Sequence, residues 1–238
     1  MEETSFGLGE PFIDESVLAD VLCELSPEFE RFYREERQRY DFPIYFEWKP
    51  DLDEGNRALT REIRIKTEKI YKICFRNYPR NDDALIFAHE IEHAIRAYNE
   101  LSLKIESKDE DLSYLAKDLM SMLEDSIVDS ILYKNYNFNL LPSYEKGLKR
   151  ARMQLSNINL PRELSSDFVS AIYLCNQKLR WNLIPNQHLN EEWAEYLDCC
   201  KTRLPNTWTM SEILLFFISE TAAAHPRRKR RGIQGAAA

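Results

Sequence analysis

Residues 84–95 read ALIFAHEIEHAI, a stretch that predicts a helix with apolar side chains nearly all round its first two turns. His89 and His93 are four residues apart, so they share one face of this helix and can both offer a ring nitrogen to one metal ion. Glu90 lies beside them, in a position to take a proton from a water molecule on the metal and return it later. The motif therefore predicts a metal-dependent hydrolytic site.

Burial of this helix supports the metal interpretation. An aspartate at position 82 or 83 is expected to cap its N-terminus. Burying two histidines and a glutamate without partners costs on the order of several kcal/mol, and a bound cation removes that cost. The alternative interpretation is a surface helix whose histidines face water.

The pattern on either side of the motif predicts an α+β protein that is mainly α. Prolines enclose the strand-forming residues 44–48, and further extended segments are expected at 63–67 and 70–75. Together they predict a small mixed or antiparallel sheet, preceded by two short helices that begin at Asp14 and after Ser26. The later helices are predicted at Asp83–Tyr98, Asp109–Tyr133, Tyr144–Leu155, Ser165–Trp181, Asn190–Arg203 and Ser211–Thr221.

Composition excludes several classes of protein. The chain has 238 residues, a net charge of −8 and five cysteines without a CxxC pair. An acidic protein is poorly suited to gripping phosphate backbones, so nucleic acid is not expected as a partner. The longest apolar run, 213–218, is too short to span a bilayer, and the acidic start does not resemble a secretory signal. Together with thiols expected to be reduced, these features predict a cytoplasmic protein with no membrane partner.

A third metal ligand is expected on a later helix. No glycine and third histidine follow His93 closely, so the metzincin continuation is absent. The candidates are Glu124 and Asp125, which lie in an otherwise apolar helix together with Asp129. The two candidates are adjacent and point in different directions, so only one of them can be a ligand with ordinary geometry.

The HExxH helix followed by an acidic helix resembles the gluzincin class of zinc metallopeptidases, which includes thermolysin-like enzymes and small intracellular proteases of the repressor-cleaving type. The resemblance covers roughly residues 43–135, and the HExxH is its specific part. In that class a mixed sheet precedes the HExxH helix. A later helix carries ExxxD, whose glutamate binds zinc and whose aspartate orients a ligating histidine.

By this resemblance His89 and His93 bind Zn²⁺ and Glu90 is the catalytic base. The third position departs from the family pattern, because Val128 lies four residues after Glu124, where the pattern has aspartate. Asp125 and Asp129 do have the ExxxD spacing, as DxxxD. We therefore predict Glu124 as third ligand, since its longer side chain reaches further, with Asp125 as the alternative and Asp129 as the residue that supports a histidine.

The resemblance implies zinc-dependent hydrolysis of peptide bonds in an intracellular protein. The lack of a secretory signal and the acidic surface lead us to expect a narrow, regulated substrate range, with a regulatory protein as a further partner. The alternative is a catalytically latent regulatory or interaction module on a zincin-like scaffold. A di-iron bundle is disfavoured, because it needs a second ExxH and the chain has only one. His188 is the first candidate for the donor that stabilises the oxyanion. Tyr98, Tyr133 and Tyr136 are further candidates.

Two features of organisation complete the predictions. Residues 1–140 are expected to form the zincin-like core, 141–222 a helical portion packed on it, and 223–238 a basic, disordered tail. Residues 70–75 are expected to form either the edge strand on which a peptide substrate adds or an interior strand.

Overall fold

The computed structural model describes residues 12–52, 58–65, 68–77, 79–80, 83–102, 110–158, 160, 162–184 and 190–224. These residues form a four-stranded sheet and eight α helices. The strands are β1 (Phe12–Ile13), β2 (Ile44–Trp48), β3 (Ala58–Ile65) and β4 (Glu68–Phe75). The helices are α1 (Glu15–Leu25), α2 (Pro27–Glu35), α3 (Ala84–Tyr98), α4 (Glu110–Tyr136), α5 (Leu141–Ser156), α6 (Leu164–Trp181), α7 (Asn190–Arg203) and α8 (Pro205–Ala224). The predicted class, mainly helical with a small mixed sheet, is confirmed.

The sheet has the order β1-β2-β4-β3. β2 and β4 are parallel, whereas β3 is antiparallel to β4. Residues 70–75 therefore lie in an interior strand, and their assignment as the edge strand is wrong. Tyr71, Ile73 and Phe75 are fully buried, which is why this strand occupies the centre. In the described part of the chain, β3 forms the edge instead.

The HExxH helix, α3, lies between the sheet and α4. Its apolar face packs on the sheet through Phe87, whose ring contacts those of Phe46 and Phe75. On α4, Val128 and Leu132 are fully buried in the same core. This packing leaves the face with the two histidines directed toward α4.

The later helices form a second core and also pack on α4. Leu148, Leu174 and Trp181 are buried in that second core. A smaller cluster joins Met122 of α4 to Ile172 of α6. Through this contact, helices from the C-terminal half reach the same side of α4 as the histidines.

Two predicted helix starts are wrong for one reason. α5 begins at Leu141, before Pro142, and α8 begins at Pro205. The predicted starts lie after these prolines, but a proline is compatible with the first turn of a helix, where its missing N–H has no partner to lose. The same rule holds at α2, where the hydroxyl of Ser26 caps the helix ahead of Pro27.

Three further expectations have a partial outcome. All five cysteines are free thiols, and three of them are buried. No helix among the described residues has the length and apolar character needed to cross a membrane. Of the predicted tail, residues 223 and 224 complete α8, and 225–238 lie outside the described residues.

Candidate metal centre

Helices α3 and α4 bring three potential ligand atoms together. Nε2 of His89, Nε2 of His93 and Oδ1 of Asp125 all lie within 4.8 Å of one another. The two nitrogens are 3.1 Å apart, and the carboxylate oxygen is 3.5 Å from His89 and 3.2 Å from His93. The histidines come from successive turns of one helix, and Asp125 completes the triangle from the facing helix.

These distances suit a tetrahedral zinc site. Zinc binds imidazole nitrogen and carboxylate oxygen at about 2.0–2.1 Å, so two ligands of a tetrahedral ion are about 3.3–3.4 Å apart. The three observed separations, 3.1, 3.2 and 3.5 Å, lie on either side of that value. The triangle has three protein atoms, which is the number that a catalytic zinc site uses when its fourth position remains open.

The contact of Nδ1 of His89, the ring nitrogen that faces away from the other two ligand atoms, fixes the tautomer of its ring. Its Nδ1 lies 2.9 Å from Oδ1 of Asp129, and the other oxygen of that carboxylate accepts hydrogen bonds from Tyr144 at 2.8 Å and from Arg180 at 2.7 Å. An ionised carboxylate can only accept, so Nδ1 carries the proton in this contact. In the neutral ring, Nε2 then has a free lone pair directed at the other two ligand atoms.

Glu124 occupies a different place from the one we predicted. Its Oε2 lies 3.8 Å from Nδ1 of His93, the outer nitrogen, and not beside the inner Nε2 atoms. Asp125 is beside both inner atoms. The geometry therefore favours Asp125, the alternative, because α3 and α4 are close enough for a short side chain to reach. Asp129 contacts a histidine as the DxxxD alternative requires.

The charges of the cluster are strongly coupled. Burial opposes a charge on His89, but the hydrogen bonds of its ring to Asp125 and Asp129 outweigh it and raise the pKa of His89 to about 10. Burial would raise the pKa of both aspartates, yet Arg180 and the histidines lower it. In the metal-free protein a proton therefore balances the carboxylates, in the position that a metal ion would take.

We expect the metal-free protein to lose stability as the pH rises from 6.5 to about 8. The folded protein keeps the proton on His89 through this range, whereas the unfolded chain releases it near the ordinary pKa of 6.5. The folded state then binds more protons, so His89 alone lowers the free energy of unfolding by up to about 1.4 kcal/mol per pH unit. His93, whose pKa is also raised, acts in the same direction. Urea unfolding with a chelator present measures this slope.

The zinc-loaded protein is the control for this prediction. Zinc must displace the proton from His89, so its binding becomes tighter and the stability it adds increases over the same pH range. A metal-free stability that is flat or rises between pH 6.5 and about 8 would contradict the raised pKa. The range ends below the ordinary pKa of a thiol, because the buried cysteines would act in the same direction above it.

Glu90 borders an open cleft and is held by a residue of the edge strand. Its Oε2 lies 2.7 Å from Oγ1 of Thr60, and its backbone oxygen lies 2.9 Å from the same hydroxyl. The single hydroxyl proton can be donated to either oxygen. This contact fixes the carboxylate of Glu90 against β3, on the side of α3 that faces the cleft.

The cleft separates the sheet-bearing part of the chain from α5 and α6. It has a volume of about 780 Å³ and is bordered by Glu90 and Asp125. Its opposite wall includes Tyr173 and Arg180 of α6. Of the three ligand residues only Asp125 borders the cleft, so a ligand there would contact Asp125 and Glu90 on one side and the helical half on the other.

Three of the predicted oxyanion donors, all tyrosines within the described residues, do not border this cleft. Tyr98 stacks on Phe42, Tyr133 packs in the second core, and Tyr136 donates a hydrogen bond to Glu36. His188 lies outside the described residues.

Sequence reasoning missed three residues of the site: Thr60, Tyr144 and Arg180. All three are distant in the chain from the residues that they contact, and none lies in a motif. Comparison with protein-family models, with curated proteins and with solved structures found no match for this chain.

Proposed function

We propose that this protein is a zinc-dependent metallopeptidase that hydrolyses a peptide bond of an intracellular protein. The observation that carries the proposal is the triangle of ligand atoms from His89, His93 and Asp125, whose sides match a tetrahedral zinc site. A glutamate at the adjacent position, Glu90, borders the same cleft as Asp125. These residue types in this arrangement are those that metal-assisted hydrolysis needs.

Each residue has a distinct role in the proposal. His89, His93 and Asp125 hold the ion, and Asp129 keeps His89 in the tautomer that can bind it. Zinc, when bound, acts as a Lewis acid that polarises the scissile carbonyl and makes water more acidic. Glu90 accepts the proton of the attacking water at its carboxylate and returns it to the leaving amine.

Thr60 and Arg180 support that chemistry in the proposal. The hydroxyl of Thr60 holds the carboxylate of Glu90 by a 2.7 Å contact, so the base is positioned before substrate binds. Arg180 uses its Nε to bind Asp129 and also borders the cleft. We assign to its remaining N–H groups the stabilisation of the negative charge that develops on the carbonyl oxygen. Sequence reasoning gave this role to His188.

The edge strand fits an extended substrate. β3 has an unpaired edge in the described part of the chain, and its first residue, Ala58, borders the cleft. A peptide that adds to this edge by main-chain hydrogen bonds would lie along the strand that also carries Thr60. This mode of binding is compatible with protein substrates, because it recognises backbone in an extended form.

The test combines metal content with turnover. Elemental mass spectrometry of wild type, Glu90→Gln and His93→Ala should give about one zinc per chain in the first two and none in the third. Incubation with a peptide library made from an intracellular extract, read by mass spectrometry, should give cleavage products with wild type only. Glu90→Gln should lower the cleavage rate by about 10²–10⁴-fold while zinc is retained.

Three results would contradict the proposal. Equal metal content in His93→Ala and wild type would mean that the triangle is not the zinc site. Absence of zinc from every variant, even after zinc is added at neutral pH, would make the motif a coincidence. One zinc without cleavage by wild type would favour a regulatory module without turnover.

A further inference from the structure

One face of α5 borders the cleft and carries two cations. This face consists of Pro142, Ser143, Lys146, Gly147 and Arg150. Lys146 and Arg150 are exposed, and neither has an ion-pair partner among the residues that the structure describes. Arginine and lysine without partners on the wall of a cleft leave a positive charge for a ligand to neutralise.

The acidic residues that border the same cleft are already engaged. Glu28 accepts a hydrogen bond from Ser26 at 2.9 Å, and Glu90 is held by Thr60. Asp125 faces the two histidines of the candidate metal centre. None of these carboxylates forms an ion pair with Lys146 or Arg150 in the described part of the chain, so both cations remain available to a ligand, although the chain as a whole has a net charge of −8.

Gly147 lies between the two cations and leaves room for a backbone. It is in the interior of α5, where glycine costs about 0.5–1 kcal/mol relative to alanine. A Cβ atom built on Gly147 would have no atom within 4 Å, so neither a close contact within the protein nor a positive φ requires glycine here. The open space in front of it faces the cleft, and a main chain could approach the helix there.

The spacing of the cations matches an extended peptide. Lys146 and Arg150 are four residues apart on a helix, which separates them by about 6 Å along its axis. In an extended chain, side chains on the same face are two residues apart, or about 6.6 Å. Two acidic side chains at alternate positions would therefore meet both cations, with the intervening backbone over Gly147.

We propose that the cleft binds an extended peptide segment with two acidic side chains at alternate positions, paired to Lys146 and Arg150. Such segments are the substrate class that we assign to the proposed peptidase. Binding of the segment does not depend on the proposed function, but its cleavage does. Long polyanions such as nucleic acids fit the site less well, because two cations in an acidic protein neutralise few phosphates.

The experiment measures binding, so that it does not depend on turnover. Fluorescence anisotropy with zinc-loaded Glu90→Gln compares dye-labelled ten-residue peptides that differ only in a central Asp-Ala-Asp, Asn-Ala-Asn or Lys-Ala-Lys. We expect the acidic peptide to bind at least about tenfold more tightly than the neutral one at low salt, with the difference falling as salt is added.

Charge reversal on α5 locates the site. Lys146→Glu with Arg150→Glu should remove the preference for the acidic peptide, and the milder Lys146→Met with Arg150→Met should reduce it. Lys149→Glu is the matched control, because Lys149 is exposed on the same helix and does not border the cleft. It should change the affinity by less than about twofold, since isolated surface charges contribute little.

The outcomes separate this proposal from the proposed function. Equal binding of the three peptides, an unchanged preference in the charge-reversed protein, or tighter binding of a single-stranded oligonucleotide would overturn the acidic-peptide site. A preference that depends on Lys146 and Arg150 supports the site even if wild type cleaves no peptide. Cleavage of neutral and acidic segments at equal rates would support the peptidase function and overturn the proposed specificity for acidic segments.

Discussion

Replacing Asp125 by alanine should lower the affinity for zinc by at least about 100-fold, whereas replacing Glu124 should lower it by no more than about tenfold. Asp125 offers an oxygen 3.2 Å from Nε2 of His93 and 3.5 Å from Nε2 of His89. Glu124 lies beside the outer nitrogen of His93, at 3.8 Å, where it can orient the ring but not complete the triangle. Competition with a chromophoric chelator at neutral pH measures both affinities.

Two further variants sharpen this comparison. Asp125→Asn keeps the shape of the side chain and removes its charge, so a loss similar to that of the alanine variant would show that the carboxylate acts as a ligand. Circular dichroism checks that each variant is folded. A larger loss of zinc affinity in Glu124→Ala than in Asp125→Ala would support the prediction from sequence that Glu124 is the third ligand. Equal, mild losses of affinity would mean that the third ligand lies elsewhere.

Replacing Arg180 by methionine should destabilise the protein by about 3–5 kcal/mol and weaken zinc binding by about 10–100-fold. Arg180 donates to Asp129, whose side chain is only 3% exposed. Without the guanidinium, a buried carboxylate keeps only its hydrogen bonds from His89 and Tyr144. A buried carboxylate that loses one of its two cationic partners is costly, and its proton affinity rises, so its hydrogen bond to His89 weakens.

A double-mutant cycle separates this effect from general loss of packing. Asp129→Asn removes the buried charge while keeping an oxygen for Nδ1 of His89. Adding Arg180→Met to Asp129→Asn should therefore cost much less than Arg180→Met alone, measured by urea unfolding. Arg150→Met is the control, since this arginine is exposed and has no ion-pair partner in the described part of the chain. Additive effects would contradict the coupling between Arg180 and Asp129.

The sequence predicted the elements of the fold better than their arrangement. Helical periodicity and the proline-bounded strand at 44–48 led to the correct class, because these patterns depend on neighbours along the chain. The interior position of β4 was not predictable in the same way. Strand order depends on which strand has a hydrogen-bonded neighbour on both sides. Residues 70–75 are compatible with an edge or an interior position until their partner strands are known.

The sequence by itself determined that His89 and His93 share a face, because a helix places residues four apart on one side whatever surrounds it. It also limited the third ligand to two adjacent acids. Only the tertiary structure decided between them, because neighbouring residues on a helix point about 100° apart and the rotation of α4 against α3 selects one. The contacts of Thr60 and Arg180 were likewise decided by packing, since each joins segments 30 or more residues apart that no local pattern connects.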